Sequence, residues 1–143
     1  MIRFIAALII VFSVVRPADA GTDHKLAIHV NENNPKLFNE ILTNIENLQR
    51  HYDELDEGIT FEIVAYGGGI EMLISGTSPV EDRLDYLSLA IDDLRLTACG
   101  NTLNAMERST GEKPPLIEGV GIAQTGIARI IELQEKGYSY IKP

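Results

Sequence analysis

The sequence has no tryptophan, only one cysteine and few basic residues, and each shortage limits what the protein can be. With the single cysteine, Cys99, no intramolecular disulfide can form. Twelve Lys and Arg residues stand against 21 Asp and Glu residues, which leaves a net charge of -9 at pH 7. An acidic surface repels phosphate backbones and anionic lipids, so we expect neither nucleic-acid binding nor electrostatic membrane association.

The N-terminus has the pattern of a secretory signal peptide. A short basic start precedes the apolar run 4–15, and Ala18-Asp19-Ala20 fits the small-x-small cleavage signature. An uncleaved anchor is the weaker alternative, because this run is shorter than the roughly 20 residues that span a bilayer. We therefore expect a signal peptide over 1–20, a periplasmic location, no membrane association after cleavage, and one domain over 21–143.

Strand-like and helix-like segments alternate through the mature chain. Predicted strands cover 24–30, 59–66, 94–98, 120–123 and 138–142. Predicted helices begin at 35, with Asn34 as the cap, and cover 79–93, 102–108 and 125–136. The second is expected to start with a capping box at 78–81, and 99–101 is expected to form a tight turn before the third. This alternation predicts right-handed βαβ units, hence an α/β fold with a mainly parallel five-stranded sheet and helices on both faces.

Ligands of open parallel sheets bind at the carboxyl ends of the strands. The candidate ligand-binding residues at these ends are Asn31, Gly67, Gly68, Gly69, Gly100, Asn101 and Thr102. The three consecutive glycines allow close approach of a ligand, but they do not fit G-x-G-x-x-G, and a plain tight turn is the favoured interpretation. The segment 121–126 has the glycine spacing of a phosphate-binding loop but lacks the Lys and Ser/Thr that must follow it.

Cys99 lies where a predicted strand meets a helix, and two interpretations are open. Helix N-H groups and the helix dipole could stabilise a thiolate there and lower its pKa, which would make the sulfur nucleophilic. Alternatively, Cys99 is a small buried apolar residue. His29, on a first strand expected to be central, could accept the Cys99 proton, although a core histidine is the commoner role. The histidines and Cys99 show no short ligand spacing, so no metal site is expected.

Several segments of the mature chain resemble the DsrE/DsrF-like family of sulfur-relay proteins. The resemblance runs over 25–143 and is carried by KLAIHV at 25–30, FEIVAYG at 61–67, LRLTACGNT at 94–102 and GYSYIKP at 137–143. It implies a three-layer α/β/α sandwich, assembly into trimers or hexamers, and a persulfide carried on Cys99.

The leading hypothesis is a periplasmic sulfur-binding or sulfur-transfer protein, a sulfurtransferase-like carrier that needs no cofactor and exchanges sulfur with a donor or acceptor protein. In it, the backbone amides of 100–102 stabilise the Cys99 thiolate and His29 assists. The alternative is a non-catalytic oligomeric module that binds a small ligand or partner and in which Cys99 is structural. A homo-oligomer is also expected because the loop 114–120 carries Leu116 and Ile117, which a monomer would expose.

Overall fold

The structure is a computed structural model that describes residues 23–143, so the predicted signal peptide lies outside the described residues. Strands and helices alternate as predicted. The elements are β1 Asp23–Val30, α1 Pro35–Glu54, β2 Gly58–Ala65, a 3-10 segment Gly67–Leu73, α2 Glu81–Ala90, β3 Leu94–Cys99, α3 Gly100–Thr110, β4 Gly121–Ala123, α4 Gly126–Glu135 and β5 Ser139–Ile141.

All five strands are parallel, in the order β4-β3-β2-β1-β5, which confirms the predicted α/β fold. The chain crosses the sheet in one direction from β1 to β4 and then returns to the other side of β1. Right-handed crossovers therefore place α1, α2 and α3 on one face and α4 alone on the other. The result is a three-layer α/β/α sandwich whose central strand is β2, not β1 as expected.

The two faces of the sheet bury very different amounts of apolar surface. On the three-helix face, Phe38 of α1 and Phe61 of β2 are fully buried within a large cluster. On the α4 face, the buried cluster consists only of Ala27, Val64, Ile130 and Leu133. On α4 itself, Ile130 is 6% exposed, whereas Ile127 and Ile131 are 48% and 51% exposed. A lone helix on a narrow apolar strip buries only one side of itself.

The start of α1 follows the predicted capping chemistry, whereas the start of α2 does not. Asn34 Oδ1 accepts hydrogen bonds from the Lys36 and Leu37 N-H groups at 3.1 and 3.2 Å. In contrast, α2 begins at Glu81, whose carboxylate accepts from the Ser75 hydroxyl at 2.8 Å instead of closing a local capping box. None of the helices between residues 23 and 143 is long and apolar enough to cross a membrane.

Two loop predictions are wrong. The tight turn expected after Cys99 is absent, because α3 begins directly at Gly100. The loop 114–120 does not expose its apolar residues either. Ile117 is 4% exposed, its N-H donates to the Leu73 carbonyl at 3.0 Å, and Leu116 packs against the main core. The loop therefore closes the core of the monomer and gives no reason to expect an oligomer.

Candidate functional site

Cys99 is the last residue of β3 and the N-cap of α3. Its backbone is extended, with ψ at 115°, and it pairs in register with Ala123 of β4. Side chains alternate along a strand, so Cys99 shares the α4 face with Thr97. The residue is only 5% exposed, which means that the thiol is buried yet lies at the carboxyl edge of the sheet.

The N-termini of two helices meet at Cys99, because α3 begins at Gly100 and α4 at Gly126. A Cβ added to Gly126 would lie 3.4 Å from the Cys99 Cβ and 3.1 Å from Tyr66 Cδ1. A Cβ on Gly100 would lie 3.2 Å from the Ala123 carbonyl oxygen. A side chain at either position would therefore require its neighbours to shift by a few tenths of an ångström.

This convergence lowers the pKa of the Cys99 thiol. Burial is the largest single cause and raises the pKa, but the Thr102 hydroxyl and the N-H groups of Gly126, Thr102 and Asn101 together outweigh it. The thiol makes no close capping bond to the first turn of α3. The Asn101 N-H also donates to the Gln124 carbonyl at 3.1 Å, so it acts on the sulfur mainly as a nearby dipole. The site thus favours a thiolate despite its burial.

Thr102 connects the cysteine to the glycine run after β2. Its Oγ1 accepts a hydrogen bond from the Gly67 N-H at 3.0 Å. Gly67 has a φ of +53°, a left-handed conformation that favours glycine. The three glycines open the 3-10 segment, so they do more than form the plain tight turn that the sequence suggested.

A groove of about 360 Å³ lies beside the Thr102–Gly67 hydrogen bond, and some of the predicted ligand-binding residues line it. Gly67, Gly68 and Thr102 line it together with Asn33 and Met106.

Gly69 does not line the groove, because it is buried against the Val30 carbonyl. Gly100 and Asn101 belong instead to the contact between the two helix starts. Asn31 follows β1 and lies near the Tyr66 hydroxyl. The pKa of Tyr66 is raised, by burial first and also by Tyr140 and Cys99, although a hydrogen bond with Asn31 lowers it in part. The phenol therefore stays protonated beside the thiol.

His29 does not lie next to Cys99, contrary to the sequence expectation. It aligns with Val64 of β2, which aligns with Thr97 of β3, two residues before Cys99. Strand spacing and rise then put the two Cα atoms roughly 12 Å apart. The His29 ring instead packs on Tyr66, with ring centroids 4.8 Å apart. Direct proton transfer between His29 and Cys99 is therefore not supported.

Histidine, cysteine and carboxylate side chains are dispersed over the described part of the chain. For example, His24 Nε2 and Glu57 Oε2 lie 2.8 Å apart at the amino ends of β1 and β2, whereas Cys99 lies at the carboxyl end of β3. Between residues 23 and 143, no group of three or more such side chains is placed to hold a metal ion.

Sequence reasoning missed two contacts of the site. Tyr66 and Gly126 contact each other beside Cys99, and Glu62 forms a buried ion pair with Arg129 at 2.7 Å. Only Glu62 left a visible signal, a carboxylate inside the apolar strand FEIVA. The other contact joins elements distant in sequence, so no local pattern reveals it.

Comparisons with known proteins bear on the fold. No family model matches this sequence, and no curated protein is similar enough to count as a relative. One similar solved structure is a protein of unknown function from Methanobacterium thermoautotrophicum, which is 27% identical with a TM-score of 0.72. The match covers 85% of this chain and 100% of that chain. It agrees with the α/β architecture and leaves the chemistry to be argued from the site itself.

Proposed function

We propose that this chain is a sulfur-binding or sulfur-transfer protein of the DsrE/DsrF-like kind, with a persulfide carried on Cys99. The observation that carries the proposal is the convergence of two helix N-termini on the one cysteine. Each helix start presents N-H groups that have no partner within the helix, together with the positive end of a helix dipole. Both favour a negatively charged sulfur, whether it is a thiolate or a persulfide anion.

The proposed reaction is sulfane sulfur exchange without net oxidation or reduction. The Cys99 thiolate attacks the outer sulfur of a donor persulfide, R-S-SH, and forms a new S-S bond. The donor S-S bond breaks, and R-S⁻ leaves with its electron pair. The products are Cys99-S-SH and the donor thiolate, and the reverse sequence passes the sulfur to an acceptor thiolate. This exchange requires no cofactor.

The Cys99 thiolate needs no neighbouring base in this scheme. Thiol-persulfide exchange depends on the fraction of thiolate, which a lowered pKa increases at neutral pH. The Thr102 hydroxyl and the Gly126 N-H are the groups that support this fraction. The role first assigned to His29 is therefore replaced by hydrogen-bond donors at the helix starts.

The proposal includes a periplasmic location and exchange with a donor or acceptor protein. An exported sulfur carrier meets oxidising conditions, in which an accessible thiol is easily lost to disulfides or oxidation. Cys99 is 5% exposed, which restricts such reactions to small or well-fitted partners. This burial is compatible with a carrier whose sulfur must survive outside the cytoplasm.

The decisive measurement is the intact mass of protein purified from its native compartment without reductant. We expect a species heavier by one sulfur atom that returns to the unmodified mass after dithiothreitol. Incubation of the reduced protein with glutathione persulfide should restore the heavier species. C99S should keep the fold, shown by circular dichroism, and gain no sulfur. Wild-type protein that remains unmodified in both experiments would disprove the proposal.

The groove at Gly67, Gly68 and Thr102 favours one other function, the binding of a small ligand without chemistry at Cys99. Its volume of about 360 Å³ falls within the range typical of small-molecule pockets. Met106 and Ile70 supply apolar surface, and Glu71 supplies a carboxylate. A ligand that binds equally well to wild type and C99S would favour this binding-module function.

A further inference from the structure

Helix α4 has little apolar surface with which to hold its position on the sheet. Only Ile130 and Leu133 of this helix are buried in the small cluster, against Ala27 and Val64. The other face of the sheet holds three helices and a much larger core. Apolar packing is non-directional, so this small contact alone would allow α4 to slide or tilt.

A buried ion pair fixes the position and orientation of α4, which apolar packing alone does not. Arg129 of α4 donates from Nε to Glu62 Oε1 at 2.7 Å and from Nη2 to Oε2 at 2.8 Å. The Thr97 hydroxyl donates to the same carboxylate at 2.7 Å. Glu62 is 0% exposed and lies in the central strand, so the carboxylate is a fixed point in the sheet. Two parallel bonds fix both the distance and the orientation of the guanidinium.

Arg129 is close enough to Gly126 to control its position. The two residues are three apart on α4, a rise of about 4.5 Å along one rigid turn. Gly126 is in turn the residue whose Cβ position lies 3.4 Å from the Cys99 Cβ. A shift of Arg129 is therefore transmitted directly to the helix start beside the sulfur.

We propose that Glu62 and Arg129 are positioning residues for the Cys99 site, and that their ion pair holds the N-terminus of α4 against the cysteine. The inference rests on the proposed function, because it concerns the reactivity of the same thiol. The pair itself touches neither the sulfur nor a substrate. Its role is to keep one of the two helix starts in place.

The charge states of the pair agree with this role. Burial raises the pKa of Glu62, but hydrogen bonds from Arg129 and Thr97 outweigh it, so the net pKa is lowered. The carboxylate is therefore ionised at neutral pH. Replacing a buried ion pair by neutral groups often costs little stability, whereas removing one partner is strongly destabilising. The specific contribution of such a pair is then geometry more than stability.

The test is the pH dependence of Cys99 alkylation by iodoacetamide, followed by mass spectrometry on folded protein. We expect R129M to raise the midpoint by roughly 0.5 pH unit, with an alkylation rate about threefold lower below the midpoint. Because R129M leaves Glu62 unpaired and can unfold the protein, E62Q/R129M removes both charges and should show the same shift. R129K keeps one bond to Glu62 and should restore part of the effect.

R83M is the matched control. Arg83 of α2 also pairs with a glutamate of another element, Glu46 of α1, at 3.0 Å, but on the other face of the sheet. R83M should leave the pH midpoint of Cys99 alkylation unchanged. If the midpoint is also unchanged in folded E62Q/R129M, or moves equally in R83M, the pair does not position the site. Sulfur loading of wild type is measured separately. If wild type takes up no sulfur but the Arg129 variants still shift the midpoint, the proposed function is wrong and this inference stands.

Discussion

His29 Nδ1 and the Tyr140 hydroxyl lie 2.7 Å apart and connect β1 to the edge strand β5. The two residues are far apart in sequence, and their contact fastens the C-terminal strand to the sheet. His29 is 7% exposed, and its Nε2 is buried without a partner. A buried imidazole in this setting is held in its neutral form.

This contact predicts that acid weakens the fold through His29. Burial first, and then the charge of Lys142, lower the pKa of His29 from 6.5. The unfolded chain therefore binds the proton more readily, so this contribution is complete above about pH 6.5 and declines as the pH falls through it. In urea unfolding at pH 8 and 5.5, H29Q should lose less stability on acidification than wild type. H51Q, at an exposed histidine, should behave like wild type, and equal slopes for all three would contradict the prediction.

Thr102 is expected to control the reactivity of Cys99 through its hydroxyl. T102V removes this donor and should raise the pH midpoint of iodoacetamide labelling, whereas T102S should keep it close to wild type. In wild type, the midpoint of the folded protein should lie below that of the protein unfolded in urea. No labelling before unfolding would assign Cys99 to the core and favour the binding module.

A side chain at Gly126 is expected to strain the site. In G126A the new Cβ would meet Tyr66 at 3.1 Å and Cys99 at 3.4 Å, so Tyr66 or the start of α4 must shift by a few tenths of an ångström. We expect a loss of about 1–3 kcal/mol from overpacking and a higher Cys99 midpoint. G121A is the control, since its nearest atom would be at an ordinary 3.7 Å. Equal stability and labelling in the two variants would show that the close approach is unimportant.

Two leucines of α2 provide a test of the main core. Leu84 is 0% exposed and Leu89 is 86% exposed, although both lie on the same helix. L84A should lower the free energy of unfolding by about 2–5 kcal/mol, because it leaves a cavity. L89A should change it by less than about 0.5 kcal/mol. Urea denaturation measures both, and similar losses would place α2 differently on the sheet.

A homo-oligomer remains a prediction, now with a different surface to test. Ile127 and Ile131 lie one turn apart on α4 and are about half exposed. Size-exclusion chromatography with light scattering should give a mass above that of one chain at micromolar concentration. I127S/I131S should then shift the protein toward the monomer, whereas L89S, on the other face, should not. A wild-type monomer under these conditions would remove the expectation.

The order of strands and helices was predictable because it depends on local patterns. Alternating apolar residues indicated the strands, Asn34 and Pro35 marked a helix start, and right-handed crossovers then restricted the topology. The position of Cys99 at a strand end was visible for the same reason. The capping box expected at 78–81 did not form, because the Glu81 carboxylate instead accepts hydrogen bonds from the Ser75 hydroxyl and the Gly76 N-H in the preceding loop.

The sequence by itself thus determined the α/β class, the parallel sheet and the place of Cys99 at its carboxyl edge. Only the tertiary structure decided that α4 stands alone on its face, that Glu62 and Arg129 anchor it, and that Gly126 meets the sulfur while His29 does not. These contacts join residues from different strands and helices across the sheet. Their formation depends on strand order and register, which arise from packing the whole chain and are encoded in no single segment.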